Sequence, residues 1–381
     1  MWGTPVRWQV IVSQTNVKTS VGLDRRDFLK LPALAAVCGL LPSASSAAGQ
    51  KAPFDEADPD GTKIAIKLTV QNTSDEELLF LKQIGLRWLH ADFGEEASYD
   101  FIKATQDRFA RYGLRIDCAL MEKYRSLKIQ LGQPGRDEDI EKFNTFLTDC
   151  GRLGIRTSHI DFHPGNTYTT SMITTARGYT AREFSVTDFR EKVEKKMFDR
   201  DYSAEEIWAN YGYFLDAVLP VAEKAGIKLA HHPDDPPISP MNGVAKVFIN
   251  YAGYKRAEDV AAKGSKNWGL CLCLGTWLEG GDTMGKDAAS MIREFGGRGK
   301  LFTIHFRNVS SPLPRFHETF QDDGYQDMYQ LMKALREVRS TASLIPDHYP
   351  GIVSDTHLRI DNAYMVSAMR QMLRRAYEEV G

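Results

Sequence analysis

The stretch Pro220-Val221-Ala222-Glu223-Lys224-Ala225-Gly226-Ile227-Lys228-Leu229-Ala230-His231-His232-Pro233 holds one complete structural unit. A helical run ends at Gly226, the residue type that closes helices by turning left-handed. A short apolar strand follows almost at once. It ends in two histidines and a proline, polar residues placed where a strand meets a loop.

The same order recurs along the chain. Ser74-Asp75-Glu76-Glu77 is a capping box opening a helix that ends at Gly85. Arg108-Phe109-Ala110-Arg111-Tyr112-Gly113 and Gly151-Arg152-Leu153-Gly154 close two more helices. Short apolar runs predict eight strands, at 63–70, 87–93, 114–120, 158–164, 228–233, 269–275, 301–308 and 343–349. Stretches of helical period lie between them. Eight such pairs predict a (β/α)8 barrel, the TIM barrel, over residues 62–381. An open doubly wound sheet would want a Gly-rich phosphate loop after the first strand, and none is there.

Composition narrows the function. The 381 residues include 48 Lys+Arg and 50 Asp+Glu, a net charge of −2. With no basic run after the start of the chain, nucleic acid is not an expected partner. No apolar run is long enough for a membrane span in the mature chain. Five cysteines in a chain of this length are no disulfide framework. The oligomeric state is open, a homo-oligomer included.

The N-terminus reads as an address. Asp24-Arg25-Arg26-Asp27-Phe28-Leu29-Lys30 precedes a short apolar run, 31–42, and then a run of small residues, 43–49. These are the three parts of a cleavable signal peptide. The Arg25-Arg26 pair resembles the twin-arginine export motif, which implies the twin-arginine machinery as a partner and a periplasmic location. The expected organisation is a signal peptide over 1–48, a linker over 49–61 and the barrel.

One connection is abnormally long. Residues 165–203 follow the fourth strand and are predicted as a lid-like loop with one charged helical piece at 188–198. Arg177 and Arg182 in it are either a clamp for an anionic substrate or two solvated surface charges.

Strand ends carry the chemistry in such barrels. Six of the nine histidines, His90, His163, His231, His232, His305 and His348, sit at or beside these ends, with Cys271, Cys273 and Asp347. Their convergence on one rim predicts a metal site. Residues two apart on a strand share a face, so Cys273 is the rim-proximal thiol and Cys271 is buried packing. Likewise at most one of His231 and His232 faces the lumen.

These residues resemble a family. His232-Pro233-Asp234-Asp235-Pro236-Pro237, Gly269-Leu270-Cys271-Leu272-Cys273-Leu274-Gly275-Thr276 and His305-Phe306-Arg307-Asn308 are similar to the mannonate dehydratase signature. So are Phe316-His317-Glu318, Gly324-Tyr325-Gln326-Asp327-Met328 and Pro346-Asp347-His348. The match runs over 205–350; residues 60–200 match only loosely, as a xylose-isomerase-like barrel would. The resemblance implies a metal-dependent hydro-lyase that converts D-mannonate to 2-keto-3-deoxy-D-gluconate and water. It implies His232, Cys273, His305 and Asp347 as ligands of Mn²⁺, with Mg²⁺ and Co²⁺ as alternatives, and His348 as a proton carrier; thiolate and imidazole donors themselves also suit Fe²⁺ and Zn²⁺.

Arg307, Asn308, Asp234, His317 and Glu318 are candidate substrate contacts, as is Arg177. Here Ile345 precedes Pro-Asp-His where the family has Arg, and Tyr349-Pro350 follow where it has Gly-Arg. The family's second acid/base, a tyrosine, aligns with His357; Tyr349 and Tyr364 lie nearby. Two other functions stay open: a sugar isomerase or epimerase on the same barrel, and a non-catalytic exported carbohydrate-binding protein.

Overall fold

The computed structural model describes residues 54–380 except 96, 349, 354 and 356–358. The signal peptide and His357 expected from the sequence lie outside the described residues. Twelve strands occur among the described residues. In chain order they are β1 (Lys63–Thr69), β2 (Trp88–Asp92), β3 (Arg115–Leu120), β4 (Thr157–Ile160), β5 (Ser171–Thr174) and β6 (Thr180–Ser185). Then come β7 (Lys228–His231), β8 (Trp268–Cys273), β9 (Leu301–His305), β10 (Asn308–Val309), β11 (Arg315–Thr319) and β12 (Ser343–Ile345).

Eight of them close into a barrel in the order β1-β12-β9-β8-β7-β4-β3-β2. Every neighbouring pair is parallel. Helices cover the outside, as the chain's repeated alternation requires. The unit quoted first forms as its residues dictate. Ser203 caps the helix Ala204–Ala225 in a full capping box with Glu206, and Gly226 ends it at φ 70°. The barrel interior is packed: Ala230, Cys271 and Phe302 form one buried cluster, and Ala65, Trp88 and Ile345 another. Among the described residues no helix is long and apolar enough to cross a membrane.

The long connection differs from expectation. It forms the β5–β6 hairpin, then a short helix at Val186–Asp188 and a wide turn at Phe189–Val193; residues 194–198 are not helical. The hairpin joins a four-stranded antiparallel sheet in the order β10-β11-β6-β5. Threonine, isoleucine and phenylalanine favour strand, but these strands are short. The strand that takes the hairpin into the sheet, β11, lies more than a hundred residues away, beyond any local signal. Phe184 pairs in register with Phe316, and their rings stack at 5.9 Å with Phe189 behind Phe184 at 5.6 Å. The run expected as one strand at 301–308 is divided: β9 stays in the barrel and β10 belongs to this sheet.

Phe316 is a main apolar link between the hairpin and β11. Truncating a buried Phe costs about 3–5 kcal/mol. In Phe316→Ala, amide hydrogen exchange is expected to accelerate across β5, β6 and β11 while the barrel strands keep their protection.

Candidate active site at the barrel mouth

Strand parity separates the two adjacent histidines. His231 turns outward into an aromatic box, with ring centroids 5.1 Å from Tyr211 and 4.2 Å from Phe248. His232 turns into the lumen. The register of β8 on β9 sets Cys273 beside His305, and β12 on β9 sets Ile345 beside His305, two residues before Asp347. Four donors therefore converge: one ligand atom from each of His232, Cys273, His305 and Asp347 lies within 4.8 Å of all the others. His232 Nε2 is 3.1 Å from His305 Nδ1, which is 3.2 Å from an Asp347 carboxylate oxygen. Asp347 stands at φ 53°, the left-handed region, which aspartate enters more readily than most residues.

Electrostatics prepare these donors for a cation. Burial opposes a Cys273 thiolate, but the Arg307 guanidinium and the neighbouring His232 and His305 rings outweigh it and hold the thiol well below its usual range. Burial also opposes a charged Asp347, yet His305 and His348 keep it well below the usual carboxylate range. His232 donates its Nδ1–H to the Pro233 carbonyl at 2.7 Å, which leaves the Nε2 lone pair facing the cluster. Cys271 behaves differently, since burial raises its thiol. It hydrogen-bonds His305 and forms a second group with His159 and His305 deeper in the barrel.

Arg307 lies behind this cluster, 1% exposed. It donates to Glu279 and Asp235, each at 2.6 Å, and to Asp347 at 3.3 Å. Gly275 makes that position available: a Cβ there would lie 2.4 Å from Arg307 side-chain atoms.

The cluster opens into a cavity of about 540 Å³. His232, His305, Asp347 and His348 line it, with Arg125, His159, His163, Tyr168 and Arg182 on other walls. The Glu318 carboxylate accepts a hydrogen bond from His348 Nδ1. Burial disfavours a charged His348, but Asp347 and Glu318 raise its basicity.

Arg307, Asn308, Asp234, His317, Glu318 and Arg177, the expected substrate contacts, are not among the residues that line this cavity. Arg307 is committed to three carboxylates inside the protein. Asn308 is fully buried, donating to the Gln321 and Gln326 carbonyls at 3.2 and 2.8 Å. Asp234 accepts from the Val247 and Phe248 amides at 3.2 and 3.0 Å. His317 sits on β11 opposite Glu183 and does not line the cavity. Glu318 is buried and reaches the cavity through His348. Arg177 is exposed and paired with Asp322 at 3.2 Å, away from the cavity, whereas Arg182 lines it.

His159, Arg125, Tyr168 and Lys67 also line the cavity, though no sequence motif singles them out. His159 had a signal: it precedes Asp161 by two, hence shares its face. Its ring stacks on His305 at 5.7 Å.

Comparisons with known proteins agree with this geometry. The D-mannonate dehydratase family model matches residues 180–372. Mannonate dehydratase 2 of Halalkalibacterium halodurans is 30% identical over 273 residues, 65% of this chain and 77% of that protein. A mannonate dehydratase of Oceanobacillus iheyensis is 28% identical over 291 residues, 67% of this chain and 78% of that protein. In fold, the chain resembles the crystal structure of mannonate dehydratase from Streptococcus suis serotype 2. That match has a TM-score of 0.75 at 24% identity and covers 84% of this chain and 96% of that one. An L-ribulose 3-epimerase shares the barrel at a TM-score of 0.55 and 14% identity, covering 84% of this chain and 96% of that one.

Removing one partner of a buried ion pair costs about 3–5 kcal/mol. Arg307→Met is expected to lose stability of that order in a denaturant titration, while Arg177→Ala, at an exposed pair, should lose little. Similar losses in both would contradict the buried network.

Proposed function

The chain belongs to the mannonate dehydratase family, a family of hydro-lyases, and from that premise we propose that its barrel mouth dehydrates D-mannonate to 2-keto-3-deoxy-D-gluconate. The observation that carries this reading is the convergence of His232, Cys273, His305 and Asp347 beside His348 in one cavity.

The family is metal-dependent, and the donors here fit a divalent ion. A thiolate, a carboxylate and two imidazoles, with one imidazole lone pair fixed inward by Pro233, suit a transition metal better than Ca²⁺. We assign the four to Mn²⁺, with Mg²⁺ or Co²⁺ as substitutes. Bound there, the ion would supply Lewis acidity that spreads the negative charge built up next to the substrate carboxylate.

The chain's own groups do the rest. Hydrogen-bonding to Glu318 places the proton of neutral His348 on Nδ1, which leaves Nε2 as the lone-pair base for the C2 proton. Arg182 lines the cavity from β6 and makes no ion pair with a described residue, so it is assigned to the sugar-acid carboxylate. Residues 1–48 would export the enzyme, already folded, to the periplasm; the Arg25-Arg26 motif and the run that follows support that reading.

Protein loaded with Mn²⁺ and given D-mannonate is expected to form a product lighter by one water, read by mass spectrometry. An isomer of unchanged mass would favour an isomerase instead. Cys273→Ser and His305→Ala are expected to lose most bound metal, and Cys271→Ser to keep it. A charge-assisted contact is worth about 1.5–3 kcal/mol, so Arg182→Ala should raise KM about 10- to 100-fold with kcat little changed.

A further inference from the structure

Elimination of water needs a proton acceptor at C2 and a proton donor for the hydroxyl leaving C3. His348 supplies the first. Of the nearby tyrosines suggested by sequence, Tyr364 donates to Asp322 at 2.7 Å on an exposed helix face and does not line the cavity.

Resting on the dehydratase reading above, we propose that Tyr168 is the catalytic acid that protonates the departing C3 hydroxyl. Tyr168 comes from the connection after β4. It is the cavity's phenol among the described lining residues, and it keeps 37% of its surface open. Its ring stands nearly perpendicular to that of His348, at 84° and 6.5 Å between centroids. The two groups are thus close enough to serve neighbouring carbons of one bound molecule.

The surroundings fix the direction of the phenol proton. His163 Nε2 lies 2.5 Å from the Pro233 carbonyl, which can only accept, so Nε2 carries the hydrogen. In the neutral ring Nδ1 is then a lone pair. The Tyr168 hydroxyl, 3.3 Å from it, is the donor of that bond. Burial and then the Asp161 carboxylate push the phenol above its usual range, so it holds its proton until a stronger acceptor arrives.

Three other polar groups of the cavity have partners within the protein. His90 Nε2 bonds Ser343 Oγ at 2.7 Å, Arg125 bonds Asp161 at 2.5 and 2.8 Å, and Lys67 pairs with Asp92 at 3.5 Å.

The step balances without a co-reactant. The C2–H bond breaks and its proton passes to His348 Nε2. The electron pair, held at C2 beside the carboxylate, then forms the C2–C3 double bond as the C3–O bond breaks, and the hydroxyl leaves as water with the Tyr168 proton. The enol then becomes the 2-keto product by losing its hydroxyl proton and gaining one at C3. The proton held by His348 restores the phenol through solvent.

The test compares the parent, Tyr168→Phe and His357→Ala enzymes, each loaded with Mn²⁺, on D-mannonate in D₂O. The readouts are water loss, bound metal, KM and deuterium exchange at C2. Loss of a general acid costs about 100-fold or more, so Tyr168→Phe is expected to lose at least about that in kcat, with KM and metal content within about two-fold of the parent. It should still exchange the C2 proton, since His348 remains. Near-parental water loss by Tyr168→Phe, or loss confined to His357→Ala, overturns the proposal. A metal-loaded parent that releases no water from D-mannonate overturns the dehydratase reading, and the role of Tyr168 falls with it.

Discussion

One buried guanidinium allows the rest of the barrel mouth to exist. Asp235, Glu279 and Asp347 crowd into a space that also holds the Cys273 thiolate. At an effective dielectric of about 20, two like charges 4 Å apart repel by about 4 kcal/mol. Arg307 offsets that repulsion from the centre of the group, and Gly275 leaves the room for it to do so. Burial and Asp235 push Glu279 well above the usual carboxylate range, whereas Arg307 overcomes burial to keep Asp235 low. The cation therefore holds ionised the residues nearest the cluster, and Asp347 and Cys273 meet an incoming cation as anions.

That arrangement explains what could be read in the sequence. Strand and helix periods are local, so the eight barrel strands emerged within a few residues of their observed ends. Parity along a strand is local too, and it placed Cys273 at the rim and allowed only one of His231 and His232 into the lumen. Burial is not local. Arg307, Asn308 and Asp234 look like ligand-facing polar residues in sequence, yet each is sealed within the protein by partners outside its own strand end, such as Asp235 for Arg307, Gln326 for Asn308 and Val247 for Asp234. The hairpin β5–β6 escaped for the same reason, because its sheet is completed by strands from the far end of the chain.

The site accordingly has two sources. The metal-type donors come from strand ends β7, β8, β9 and β12, the rigid part of the fold. Tyr168 and Arg182 come from the insertion after β4, which is tied to the rest by Phe184 on Phe316 and by the bridge between Thr180 and Gly351. A rigid ligand set with a separately anchored wall lets substrate preference change without disturbing the ion's ligands.

The most direct test of the account is X-ray absorption at the edge of the bound metal. The expected first shell holds one sulfur, from Cys273, with the remaining ligands nitrogen or oxygen. Two sulfurs would bring Cys271 into the shell, and none would remove Cys273; either result would contradict the ligand set assigned here.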